Sequence, residues 1–367
     1  MQNCGFIQLE RSLCLQVTLE ASRMPAIALS GILIEPRIRD TTVLAPMGVG
    51  YIGMQSWDAR AMRTHREMME EQRLILAGIG ITGNQFIASR TGIVFAGVSV
   101  HLLETLVEKN VVMGCKEVGI AMLGQALPDA AVMLRGNVVD VEGVGIAIGS
   151  DNTQIIENQL TGAGESGDEK EKGSRFGIYL HDTPLNADGI DRCHIIGNDI
   201  KKFTLAGIGI NAKIRSAMIK QNTIEASGGG IVMGGRSEAQ LLSIENNQLL
   251  DLRPMFVRER GSVYGIAVMN THCLLISANA IRDVHPGDSG SYTCVGIRIL
   301  NSRTSTITAN EMYGIGRRKG VGSLAVAIEC AGAFESIGIS GNTIRTYPTS
   351  GRRSSQEVAI LVGKTPT

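Results

Sequence analysis

One unit recurs along this chain and limits what it can fold into. An aliphatic residue is followed three places later by asparagine and five places later by a second apolar residue, and after a turn comes a glycine-led pair of aliphatics two apart. The asparagines are Asn84, Asn110, Asn137, Asn158, Asn198, Asn222, Asn247, Asn279, Asn310 and Asn342. Ahead of them stand Ile81, Val107, Leu134, Ile155, Ile195, Ile219, Ile244, Ile276, Ile307 and Ile339, and behind them Phe86, Val112, Val139, Leu160, Ile200, Ile224, Leu249, Ile281, Met312 and Ile344. The pairs run Ile93/Phe95, Ile120/Met122, Ile146/Ile148, Ile178/Leu180, Ile208/Ile210, Ile231/Met233, Ile266/Val268, Ile297/Ile299 and Val326/Ile328, with Val358/Ile360 last. A spacing of two puts both members of a pair on one face of a β-strand.

Three short strands per unit, each with one apolar face, cannot bury those faces alone. Coiling them lets successive units pair as parallel strands with like residues stacked, so the pattern predicts an all-β, right-handed parallel β-helix of about a dozen coils. The asparagine is expected at the tight bend between two strands, in the left-handed backbone region and bonded to its stacked neighbours. The glycine before each pair suits a position that wants positive φ or no side chain. These residues resemble the parallel β-helix repeat family, which shares the architecture of pectate lyases and their relatives. The resemblance covers residues 74–362 closely and the first 55 loosely.

Residues 1–56 read as irregular coils without the asparagine, built on Phe6 to Leu9, Leu15/Val17, Ile27/Leu29, Ile32/Ile34 and Ile52/Met54. Residues 57–73 have helical composition, with charges at i,i+4 spacing, and predict a helix inserted across the stack with Trp57, Met62 and Met69 packed beneath it. Residues 74–367 form the regular β-helix. The chain opens on strand-like sequence with no capping helix, and open solenoid ends pair with something. It is therefore expected to be a module of a longer chain or an assembling subunit, with end-to-end or homo-oligomeric contacts.

With 35 basic and 35 acidic residues, the chain lacks the basic excess of a nucleic-acid or membrane-surface binder. It has no signal segment and no run of apolar residues long enough to span a bilayer, and its compartment stays open. Seven scattered cysteines without a C-x-x-C pair predict reduced, mostly buried thiols and neither a disulfide framework nor a zinc site. No cofactor or metal is called for. Aromatics make up only 4% of the chain, which leaves few rings for stacking sugars.

Insertions collect at one corner of a solenoid. Here they are 161–176, 250–264, 282–295, 313–323 and 345–357, and four come from consecutive coils, predicting a wall beside the Gly-Ile strand. The relatives that act on carbohydrates keep their cleft there. The first insertion is acidic; the later ones carry Arg253, Arg258, Arg260, Arg317, Arg318, Lys319, Arg352 and Arg353, a set able to hold a polyanion such as an acidic polysaccharide, or a partner protein. The outward positions of the Gly-Ile strand are read as Ala147/Gly149, Tyr179/His181, Gly209/Asn211, Val232/Gly234, Ala267/Met269, Arg298/Leu300 and Ala327/Glu329. Most are small or apolar. Tyr179, His181, Asn211, Arg298 and Glu329 offer polar chemistry on it, with Asp182, Asn270 and Asn301 just beyond.

Glycoside hydrolysis wants two carboxylates across a gap, and lyase or epimerase chemistry wants a base beside a sugar C–H with a cation nearby. Two groupings approach the second requirement: Tyr179, His181, Asp182, Asp188, Asp191 and His194, and Asp283, His285 and Asp288. The catalytic candidates are thus His285, His181, Arg298 and Asp283. The ligand-binding candidates are Tyr179, Asn211, Arg258, Arg260, Arg317, Arg318 and Glu329. Against the enzymes it resembles, the chain lacks the paired aspartates of polygalacturonases, the Asp-Pro-His-Asp of mannuronan epimerases and the Ca²⁺-binding carboxylates of pectate lyases. The reading is a non-catalytic β-helix module, a rigid rod for binding or assembly in a larger bacterial or phage-like machine. The alternative is a lyase or epimerase acting on an anionic polysaccharide.

Overall fold

A computed structural model describes residues 8–15, 25–51, 74–126, 129–164, 175–183, 188–254, 260–286, 291–316, 324–345 and 356–363. The helix expected over 57–73 and most of the length of the five insertions lie outside these residues. Among the described residues every regular element is a β-strand, and the strands pair in parallel with like residues stacked on like. The chain divides into two compact units, Met1–Gly162 with Ile178–Asn198, and Ala163–Gly177 with Asp199–Thr367.

In the first unit, Ile93, Ile120 and Ile146 stack in one column and Phe95, Met122 and Ile148 in the next, all fully buried. In the second, Ile231, Ile266, Ile297 and Ile328 do the same. The interior positions flanking the asparagines, from Ile81 and Phe86 to Ile307 and Met312, are equally dry. A parallel pairing with a conserved inward face leaves no other place for these side chains, so burial of the apolar columns is the main driving force.

The asparagines form a buried ladder within each unit. In the first, Asn84, Asn110, Asn137 and Asn158 each donate a main-chain N–H and a side-chain N–H to the amide oxygen of the next, ending at Asn198, at 2.9–3.0 Å. In the second, Asn222, Asn247, Asn279, Asn310 and Asn342 repeat the pattern at the same distances. The other amide hydrogen reaches back to a main-chain carbonyl, as from Asn110 to Ile81 at 2.8 Å.

One backbone expectation needs correcting. Positive φ falls on the residue before each ladder asparagine, at Lys109 (54°), Gln221 (58°), Ala278 (54°) and Ala309 (54°), while the asparagines themselves are not in that region. The bend must turn the asparagine side chain inward, so the residue ahead of it takes the left-handed kink. The glycine before each aliphatic pair is needed for its missing side chain: a Cβ on Gly265 would stand 2.5 Å from the Gly296 carbonyl oxygen.

The early coils also differ from expectation. Ile27 and Leu29 face inward, but Ile32 and Ile34 are 54% and 53% exposed and Leu33 between them is buried. Cys14 points inward instead of Leu15, and the pair set aside as Ile52/Met54 lies outside the described residues, its coil being closed by Met47, Val49 and Tyr51. Without glycine and asparagine to pin the register, a slip of one residue exchanges the faces. The asparagine place is taken by Thr41, whose N–H bonds the Asn84 oxygen at 3.0 Å.

Near the other end, Ile297/Ile299 pairs with Ile328/Cys330, so the pair read as Val326/Ile328 sits two residues further on. Ala327 holds the glycine place opposite Gly296 and is buried. By the same register Val358/Ile360 becomes Ile360/Val362.

Candidate functional site

Several strand positions read as outward are buried. Ala147, Ala267 and Ala327 are 0%, 3% and 4% exposed, and Gly149 and Gly209 are buried. Of the positions read as outward, Asn211 alone is exposed, and Tyr179, His181, Arg298 and Glu329 are half-buried.

In the first unit, the strand Phe176–His181 carries Tyr179 and His181 on the same side, their rings edge to face with centroids 5.3 Å apart. The His181 Nδ1 hydrogen is donated to the main-chain carbonyl of Asp182 at 2.6 Å. Asp191 pairs with Arg192 at 3.9 Å, and its main-chain N–H bonds Asp151; His194 sits on another strand, Cys193–Ile196. The grouping contains polar side chains already engaged with their own backbone and neighbours.

In the second unit, His285 is 3% exposed, with Nε2 2.8 Å from the Asp251 carboxylate. Asp251 and Asp283 hold the same bend in successive coils, both at positive φ (50° and 57°), which turns the chain so that His285 enters the corner. An imidazole so placed orders the corner; it reaches no open surface where a sugar C–H could meet it.

Arg298 and Glu329 are brought together, because parallel pairing stacks them, and the Arg298 Nε is 3.4 Å from a Glu329 oxygen. Tyr264 was missed by the sequence reading. Its hydroxyl accepts from Arg298 Nη1 at 2.6 Å, and its ring lies 5.5 Å below the guanidinium carbon. This cation, phenol and carboxylate form one polar cluster on the strand face. Arg258, Arg317, Arg318, Lys319, Arg352, Arg353 and Asp288 lie outside the described residues, and of Arg260 only the backbone is described, at the head of the strand Arg260–Ser277.

The corner after the Gly-led strand holds an open groove of about 400 Å³. Its floor is a second column of amides. Asn270 and Asn301 adopt positive φ (52° and 54°), and Gly332 follows at 84°. Asn301 donates to the Asn270 amide oxygen at 3.3 Å and accepts the Ala333 N–H at 3.1 Å, while Asn270 donates to the Ser237 carbonyl at 3.1 Å. Gly332 is required here, since a Cβ would fall 2.1 Å from the Asn301 oxygen. The rims carry Glu238 with His272 at 3.3 Å and Arg303 with Glu335 at 2.9 Å, all more than half exposed, beside Phe334 at 38%. Planar bidentate groups around an exposed ring suit a polar ligand with one apolar face. Asn270 and Asn301 were legible as polar residues past the strand; Phe334 and the rim pairs come from separate coils and share no spacing that announces them.

Among the described residues no three histidine, cysteine, aspartate or glutamate side chains come together as a metal site. Residues 70–249 match the family model described as a right-handed beta helix region. That match and the parallel stacking of the strands agree on the fold, a right-handed parallel β-helix. No curated protein and no solved structure matches the chain.

Proposed function

We propose that this chain is a non-catalytic β-helix module, a rigid scaffold that binds a ligand or partner at the groove lined by Asn270, Asn301, Arg303, Phe334 and Glu335. The observation that carries this reading is how the reactive groups are engaged. His285 is buried against Asp251, and Arg298 is held by Tyr264 and Glu329, whereas the groove offers polar groups and a ring to solvent. A base that cannot approach a substrate supplies no general catalysis. The second reading, a lyase or epimerase on an anionic polysaccharide, draws its support from the Arg298, Tyr264 and Glu329 cluster, where an arginine and a phenol stand side by side.

An ultraviolet assay for unsaturated product, across a panel of uronate polysaccharides with and without Ca²⁺, tests the choice against lyase activity. For epimerase, the same panel is followed by proton NMR. The scaffold reading expects no product in either. Product that disappears in Arg298→Ala or Tyr264→Phe would replace it with the enzyme.

A further inference from the structure

The amide column on the floor of the groove stops one rung short. Asn270 in the strand Arg260–Ser277 and Asn301 in the strand Ser291–Thr308 hold equivalent places in adjacent coils of the second unit. The Asn270 Nδ2 is turned back to the Gly235 and Ser237 carbonyls at 3.5 and 3.1 Å, and its oxygen accepts one hydrogen from Asn301 Nδ2 at 3.3 Å. The Asn301 oxygen accepts the Ala333 N–H at 3.1 Å. By register the next coil puts Gly332 in this place, which has no side chain to continue the column. An amide has two hydrogens on nitrogen and two lone pairs on oxygen. One Asn301 hydrogen and one lone pair on each oxygen are therefore left without a partner among the described residues.

This floor lacks one donor and one acceptor held side by side, which is what another amide carries. A hydroxyl has both on a single atom and reaches only one of the open places. A carboxylate has acceptors only, and would set its charge beside the open lone pairs and the rim carboxylates. Those carboxylates, Glu238 and Glu335, are already matched by His272 and Arg303, so the rim balances its own charge and favours a neutral amide over an acid.

The surroundings decide which molecule brings the amide. A peptide commonly binds by adding a strand to a sheet edge. Here Arg260–Ser277 and Ser291–Thr308 are each paired on both sides, so the floor has no free main-chain edge. The polar rim and the exposed Phe334 ring instead match a pyranose, which has hydroxyls around its edge and a C–H face to lay on the ring. About 400 Å³ gives room for one sugar residue and its substituent.

We propose that the groove binds an N-acetylated hexosamine, with the acetamido group standing where the third asparagine is missing. Its carbonyl accepts from Asn301 Nδ2, its N–H donates to an Asn270 or Asn301 oxygen, and the sugar ring packs on Phe334. This names a ligand class for the groove of the scaffold reading and rests on that reading.

The test is a titration of the full chain with the methyl glycosides of N-acetylglucosamine and N-acetylgalactosamine, followed by NMR of the asparagine side-chain amides. Methyl glucoside, glucuronate and N-acetylglycine methylamide, a peptide amide, are titrated beside them. At least one acetamido sugar should bind about tenfold more tightly than methyl glucoside, whose hydroxyl makes one hydrogen bond fewer, and more tightly than glucuronate or the peptide amide. Asn301→Asp, which keeps the shape and removes the nitrogen hydrogens, and Asn301→Ala should both abolish that preference while leaving circular dichroism unchanged. No binding of either acetamido sugar, equal affinity for methyl glucoside, tighter binding of glucuronate or the peptide amide, or a preference that survives both substitutions would overturn the proposal. Turnover of a uronate polysaccharide would instead defeat the scaffold reading, and the acetamido preference would still be read from the titration.

Discussion

Replacing Asn279 by alanine shows what the ladder contributes. Its amide oxygen accepts the Asn247 main-chain and side-chain hydrogens at 3.0 and 2.9 Å, and its nitrogen donates to the Ile244 carbonyl at 2.9 Å and the Asn310 oxygen at 3.0 Å. The residue is 1% exposed, so no water replaces these partners. Alanine strands the Asn247 N–H and the Ile244 carbonyl in a dry interior, and each such group costs about 1–3 kcal/mol, giving a loss of ~4 kcal/mol. Asn342→Ala removes the same kinds of bond at a half-buried end, where water can substitute, and should cost only ~1 kcal/mol. Urea unfolding followed by circular dichroism measures both in the same compact unit, provided a single transition is seen. Asn279→Asp adds a sign: the buried acid has its folded pKa raised, so its deficit should shrink as pH falls and the carboxyl protonates. Equal small losses for Asn279→Ala and Asn342→Ala would refute the reasoning.

Further outcomes follow from the same geometry. Ala309→Gly relieves a left-handed alanine (φ 54°) and should stabilise the protein by about 0.5–1 kcal/mol, read as a raised melting temperature. Gly265→Ala drives a methyl to 2.7 Å from Ile281 Cγ2 as well as against the Gly296 carbonyl, and should destabilise by at least about 1–3 kcal/mol in the same melt. Burial pushes the Cys115 and Cys193 thiols from an ordinary 9.0 up to about 12, Cys193 being raised further by Asp151. A folded pKa above the unfolded one means their stabilisation is complete below pH 9 and is lost as pH rises toward 12, so alkaline melts should fall steeply there and less so in Cys115→Ala with Cys193→Ala. Exposed Cys273 should react with a thiol reagent in the native state while buried Cys193 and Cys294 stay silent.

The solenoid was legible because each coil repeats its chemistry: the asparagines and the aliphatic columns occupy the expected interior from Ile81 to Met312. Which residue takes the left-handed kink was not legible, since lysine, glutamine and alanine fill that place as readily as glycine. The slip at Val326 arose because Ala327 stands where the other coils place glycine, removing the mark that fixes register. Of the site, Arg298 with Glu329 was recoverable because parallel stacking joins equivalent positions of adjacent coils. The burial of His285 was not legible, because one residue's shift past the Asp283 bend turns a side chain from the surface into the corner. The groove was hidden because its rim pairs Glu238/His272 and Arg303/Glu335 differ in residue type from coil to coil.

The claim beneath all of this is that coils are held in parallel register by a continuous amide ladder within each unit. Residue-resolved hydrogen exchange of the ladder main-chain amides tests it directly. The N–H groups of Asn110, Asn137, Asn247 and Asn279 donate to buried amide oxygens and should exchange only on global unfolding, while that of Asn342, with no acceptor among the described residues, should exchange fast in dilute protein. Interior ladder amides that exchange as fast as Asn342 would contradict the account.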